Sequence, residues 1–173
     1  MTTISEETCK VVLPGEEITT RPIQDSDIDL EMDFISKLST QRKHYRFLGG
    51  VGNLSRDQLK QLCDIDFDHR MAFIASINTN NKEEEIGVAR YAQVPGSDDY
   101  EFAVTVADKW QHKKIDSILV KHLIKFAKKH CVKRLYSINM ADDHDMRKLA
   151  TELHMKLERD PDDVHQVIYS LGI

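Results

Sequence analysis

Cysteine is scarce, with only Cys9, Cys63 and Cys131 in a chain of 173 residues. They lie far apart, are odd in number and show no CxxC spacing, which excludes a disulfide framework and a cysteine-ligated zinc site. Long apolar runs are missing as well. No segment approaches the roughly 20 residues needed to span a bilayer, and the N-terminus has no basic-then-apolar signal pattern. Positive charge is not in excess: the net charge of −5 and a pI near 5.9 argue against general nucleic-acid affinity. Repeats, low-complexity tracts and Pro/Gly/Ser-rich linkers are absent, so no second domain is expected. The absences together point to a reducing, cytoplasmic setting without a membrane or nucleic-acid partner.

What is there suffices for one packed domain, since 40% of the residues are hydrophobic and 31% charged. Residues 1–16 are polar apart from Val11–Leu13 and read as a flexible N-terminal extension, leaving residues 17–173 as the single domain. Ile18 to Ile23 fits a first strand. Asp25 and Asp27 offer N-caps to a helix with apolar positions Ile28, Met32, Ile35 and Leu38 at helical spacing. Ser55 with Gln58 is a capping-box pattern that opens a second helix. Met71 to Ile77, Ile86 to Gln93 and Tyr100 to Ala107 read as three antiparallel strands joined by turn chemistry. A helix from about Asp116 to His130 carries Ile118, Leu119, Leu123, Phe126 and Ala127 on one face. A strand from Leu135 to Met140, a helix from Asp143 to Leu153 and a terminal hairpin turning at Pro161–Asp163 complete the pattern.

That order places one β-α-β unit in an otherwise antiparallel sheet. A right-handed crossover brings the N-terminus of the crossover helix to the sheet's C-terminal edge, where two parallel strands diverge and an anion finds unpaired backbone N–H groups. The stretch from Glu101 to Ser117 (strand, tight loop, helix start) is therefore the candidate site. Basic residues cluster from Lys109 to Arg134. They read first as a solvated helix face, with attraction of a phosphate-bearing ligand and a partner-binding surface as further readings. Trp110 is the only nearby aromatic outside the expected core, too few for a nucleic-acid stacking platform. The acidic stretches Asp142–Asp145 and Asp64–His69 read as caps and turns rather than metal ligands.

Several fragments carry a family resemblance: Thr20-Arg-Pro-Ile23, Arg46-Phe47, Phe67-Asp68, Met71-Ala72, Gly87-Val-Ala-Arg90, Glu101-Phe-Ala-Val104, Trp110-Gln111, Ala141-Asp142 and Arg159-Asp-Pro-Asp162. In that order and spacing the chain resembles a GNAT-superfamily N-acetyltransferase, most closely the acetyltransferase domain of bacterial Pat-type protein lysine acetyltransferases. The resemblance implies an α/β (α+β) GNAT fold. Its mixed, mostly antiparallel sheet would have roughly six to seven strands, flanked by about four helices, with a β-α-β cofactor unit.

The resemblance also implies direct acetyl transfer from acetyl-CoA to a primary amine, such as a protein lysine. Glu101 stands at the general-base position, between apolar Tyr100 and Phe102. Strand alternation alone puts Glu101 opposite Tyr100 and Phe102 and favours a solvent-facing residue. Backbone N–H groups of Val104 and Val106 match those that hold the thioester carbonyl and pantetheine arm. The segment Gln111, His112, Lys113, Lys114, Ile115, Asp116 and Ser117 matches the pyrophosphate loop, and Asp143 and Met146 on the next helix complete the expected cofactor site. The acceptor amine is expected near the loop Gln41–Asn53, with Gly49-Gly50 as a hinge.

Two loop positions depart from the family pattern. Lys114 and Asp116 stand where glycines are usual, and glycine there permits close phosphate approach and positive φ. Lys114 brings a compensating cation, whereas Asp116 places a carboxylate where the pyrophosphate's charge belongs. Asp143, where the family usually has Asn, reads as a helix N-cap. A catalytically silent GNAT domain acting as a regulatory or protein-binding module is the alternative that these departures raise.

Overall fold

The computed structural model describes residues 7–48 and 54–173. Its elements in chain order are β1 (Cys9–Leu13), β2 (Glu16–Pro22), α1 (Ile28–Lys37), α2 (Thr40–Arg46), α3 (Arg56–Cys63), β3 (Arg70–Thr79), β4 (Lys82–Gln93), β5 (Tyr100–Val106), α4 (Ile115–Lys129), β6 (Arg134–Met140), α5 (His144–Glu152), β7 (Lys156–Arg159) and β8 (Gln166–Gly172). The eight strands form one sheet in the order β1-β2-β3-β4-β5-β6-β8-β7. Every neighbouring pair is antiparallel except β5 and β6.

Helices cover both faces of this sheet, and β3 shows why. Met71, Phe73 and Ala75 enter one core with Leu119, Leu123 and Phe126 of α4, while Ala72 and Ile74 enter the other with Phe34, Leu59 and Cys63 of α1 and α3. A strand buried on both faces reads as a continuous apolar run, as Met71–Ala75 does. In β4 the register slips opposite Ala75/Ser76, so that Gly87 faces Ala75 and Glu85 faces Ser76. The bulge reverses the alternation. Ile86 joins the α4 core, and the carboxylate of Glu85 is buried. Gly87 lets α4 approach: a Cβ there would stand 3.1 Å from the Thr105 carbonyl oxygen and 3.2 Å from Leu119 Cδ1.

The structure differs from the sequence expectation in several places. Residues 9–16 are no loose extension: Cys9–Leu13 pairs with β2 through a turn at Gly15, whose φ is 86°. This strand brings the sheet to eight strands, above the expected number. In α1 the buried residues are Glu31, Phe34 and Ile35, whereas Met32, expected inside, is 45% exposed. Glu31 takes a core position because Arg90 of β4 reaches it at 2.6 Å. Asp27 does not cap α1 with its side chain. It accepts from the Gln24 N–H at 2.8 Å and from both terminal nitrogens of Arg21. Part of the expected acceptor loop is helix α2, which brings the α-helices among the described residues to five, and the expected Gly49-Gly50 hinge lies outside the described residues. The box at Ser55 and Gln58 forms as expected.

Candidate active site

β5 and β6 are in register only at Tyr100 with Leu135 and Glu101 with Tyr136, and beyond Glu101 they separate. The Ala107 N–H donates to the Ile86 carbonyl at 2.8 Å. Alternation along the strand then turns the N–H groups of Val104 and Val106 away from β4 and into the opening between β5 and β6. α2 and α5 flank this opening. The cleft is lined by Arg42, Tyr45 and Arg46 of α2, Glu101 to Val106, Gln111, Asp116, Ser137 to Asn139 of β6, and Asp143, Asp145, Met146 and Leu149.

Glu101 is exposed by area, yet it lines this cleft. Burial by the surrounding walls pushes its pKa above the usual glutamate range, with the Arg46 guanidinium opposing the rise. Arg46 is itself lowered to about 10, chiefly by burial and by the like charge of Arg90, against the pull of Glu31 and Glu101. Beneath these residues Arg90 donates to Glu31 at 2.6 Å and to the Leu62 carbonyl at 2.7 Å.

The loop keeps its shape without glycine. Lys114, at an expected glycine position, adopts φ 62° and ψ 21° as the residue before α4, and His112 also has φ 62°. A side chain in this left-handed region costs roughly 1 kcal/mol relative to glycine. Asp116, at the second glycine position, lines the cleft and accepts from the Ser117 N–H at 2.8 Å. Burial raises its pKa, the Ser117 N–H opposes the rise, and the nearby carboxylates of Glu152 and Asp145 add to it. Asp143 caps α5, accepting from the Met146 N–H at 3.0 Å, in keeping with its N-cap reading.

Of the residues expected to hold cofactor, Val104, Val106, Gln111, Asp116, Asp143 and Met146 gather with Glu101 around the cleft. The side-chain amide of Gln111 donates to the Val106 carbonyl at 2.6 Å. His112, Lys113 and Lys114 are exposed outside the lining, and Lys113 lies 4.3 Å from the centroid of the Trp110 ring. Ile115 belongs to the core, and Ser117 donates to Glu152 at 2.7 Å. The sequence reading missed the cleft roles of Arg46, Asp145 and Ser137–Asn139. Ser39, which accepts from the Arg42 N–H and caps α2, is the local signal that marks the start of that helix. The acidic stretches act as turns and braces: Asp66 accepts from the N–H groups of Asp68, His69 and Arg70.

A family model, described as the Acetyltransferase (GNAT) family, matches residues 39–155. The chain belongs to the GNAT acetyltransferase family. It is 37% identical over 159 residues to the Pseudomonas aeruginosa protein named acetyltransferase PA5475, covering 92% of this chain and 86% of that one. Among solved structures it superposes on the GNAT domain of S. lividans PAT with a TM-score of 0.87 at 22% identity, over 99% of this chain and 100% of that one. A cAMP-binding acyltransferase from Mycobacterium smegmatis matches with a TM-score of 0.63 at 22% identity, covering 98% of this chain but 49% of that longer one. The chain is thus a GNAT-type acyltransferase with a GNAT fold. No helix among the described residues is long and apolar enough to cross a membrane.

Proposed function

We propose that this acyltransferase moves an acetyl group from acetyl-CoA to a primary amine by direct transfer, with Glu101 as general base. The observation that carries the proposal is the opening of β5 from β6 immediately past Glu101, with the Val104 and Val106 N–H groups turned into it. A thioester carbonyl placed there meets backbone donors fixed before it arrives, the arrangement that stabilises developing negative charge at least reorganisation cost. Acetyl-CoA supplies an acyl group already activated as a thioester. The residues present fit its arm: the cleft offers strand donors and apolar walls from Val104, Ile138, Met146 and Leu149. The left-handed Lys114 preserves the turn into α4 that its phosphates require.

Glu101 then takes the proton. An amine enters as ammonium and becomes nucleophilic only when deprotonated, and a carboxylate raised by burial is a better acceptor at neutral pH than an ordinary surface glutamate. A protein lysine is the acceptor class that the sequence resemblance favours. The test is Glu101→Gln, which keeps the shape and removes the basicity. Turnover should fall by roughly two to four decades, while the thermal shift on adding acetyl-CoA is retained. Unchanged turnover would remove Glu101 as the base. The silent-domain alternative makes the opposite expectation in the same titration, namely no saturable shift with acetyl-CoA.

A further inference from the structure

Helix α2 lies over the cleft and is fastened to both of its sides. At its start, the Ser39 N–H and hydroxyl donate to Asp108, just past β5, at 2.9 and 2.7 Å. In its middle, Arg42 donates to Asp145 on the first turn of α5. These two side chains are only 18% and 23% exposed, so the pair is more shielded than an ordinary surface ion pair. Asp145 has a second nitrogen beside it, Nδ1 of the His112 imidazole, at 3.9 Å. Burial alone would raise the Asp145 carboxylate, but the hydrogen bond and charge of Arg42 hold it below the usual range.

The surroundings of Asp145 are those of a bound anion. It has a guanidinium from one side, an imidazole from the loop before α4 on another, and the positive end of α5 beneath it. The carboxylates of Asp116 and Asp143 line the same cleft, where the cations among the described lining residues are Arg42 and Arg46. Arg46 is committed to the neighbourhood of Glu101 and Glu31. At the loop end, Arg42 is therefore the guanidinium within reach of an entering phosphate.

We infer that Arg42 is a phosphate-binding residue of the cofactor site, held in the free protein by Asp145, whose carboxylate stands in for the phosphate that will replace it. The inference rests on the acetyl-CoA reading above. It assigns to α2 a guanidinium within the cleft lining, where Lys113 and Lys114 of the loop, both exposed, do not reach. Exchange of one oxyanion for another at a planar, forked donor needs little movement of the guanidinium.

The test compares two probes on the intact chain: acetyl-CoA, and S-acetylpantetheine, which has the thioester arm without phosphates. Binding of each is measured by calorimetry for the wild type, Arg42→Gln, Arg42→Lys and Asp145→Asn. Arg42→Gln should weaken acetyl-CoA by about tenfold and leave S-acetylpantetheine unchanged. Arg42→Lys should recover part of the loss, and Asp145→Asn should tighten acetyl-CoA alone. Equal weakening of both probes by Arg42→Gln would make the pair a structural brace and overturn the inference. So would unchanged acetyl-CoA binding in Arg42→Gln. A wild type that binds neither probe would instead overturn the acetyl-CoA reading itself, and the inference with it. Should Arg42→Gln fold poorly, Asp145→Asn, which keeps its side-chain shape, carries the same comparison: no selective gain for acetyl-CoA counts against the exchange.

Discussion

Arg46 and Glu101 share the wall of one cleft, and the guanidinium draws down a carboxylate that burial pushes up. The two influences set the pH at which Glu101 is free to accept a proton. In the wild type the acid limb of kcat/KM should lie above the usual glutamate range, because the base works only when deprotonated. Arg46→Met removes the opposing charge, so the limb should move to higher pH, with turnover at high pH retained. A pH–rate profile of the two proteins reads this directly, and an unmoved limb would uncouple the pair.

The left-handed backbone at Lys114 gives a stability prediction that is independent of the cofactor. Glycine relieves the clash of Cβ but adds disorder to the unfolded chain; alanine keeps the clash and loses the exposed lysine. Lys114→Gly should therefore be more stable than Lys114→Ala by about 1 kcal/mol. Urea midpoints of the two variants provide the check, since both lack the same charge.

Much of this architecture was legible in the residues. The spacing of Leu119, Leu123, Phe126 and Ala127 marked part of the buried face of α4, although Ile118, expected with them, is only half-buried, and the strand expected from Met71 to Ile77 lies within β3. The elements that escaped share a physical reason: distant partners, not local pattern, stabilise them. α2 (TQRKHYR) contributes no residue to either apolar core and is fastened by Ser39, Arg42 and Tyr45 to groups far along the chain. In α1 Glu31 turns inward in place of the expected Met32, because Arg90 arrives from β4 to neutralise it. Short β1 is fixed by its pairing with β2, a tertiary decision that no local propensity expresses. In the site, the family resemblance marked both Glu101 and the turn at Lys114, where glycine is usual; the lysine by itself gives no hint of the positive φ it adopts.

Asp116 makes cofactor affinity depend on pH. Its carboxylate lines the cleft and its pKa is raised by burial and by neighbouring carboxylates. Protonation removes the charge that opposes a phosphate, so acetyl-CoA binding should tighten as pH falls through this raised pKa. Asp116→Asn keeps an acceptor for the Ser117 N–H and removes the charge at every pH. Calorimetry should find it about tenfold tighter at neutral pH, the order expected for two like charges about 4 Å apart, and flatter with pH. An unaltered affinity would mean the phosphates pass clear of Asp116.

Glu85 carries the last prediction. The bulge in β4 buries its carboxyl group beside that of Glu31, and neither oxygen accepts from a protein N–H or O–H donor among the described residues. Burial raises its pKa well above the usual range, and the nearby Glu31 carboxylate raises it further, against the pull of Arg90. The folded protein therefore holds a proton that the unfolded chain releases at an ordinary glutamate pKa, near 4.3. By linkage, the contribution of Glu85 to stability is fully present below that unfolded value. It declines as pH rises above it, and is lost by the time pH passes the folded value. Glu85→Gln imitates the protonated form and has no charge to release. It should match the wild type in mild acid and exceed it increasingly as pH rises, by more than 1 kcal/mol at neutral pH if the folded value lies more than about one unit above the unfolded one. Urea titrations across the pH range test this, and parallel curves for the two proteins would mean that Glu85 carries no extra proton in the folded state.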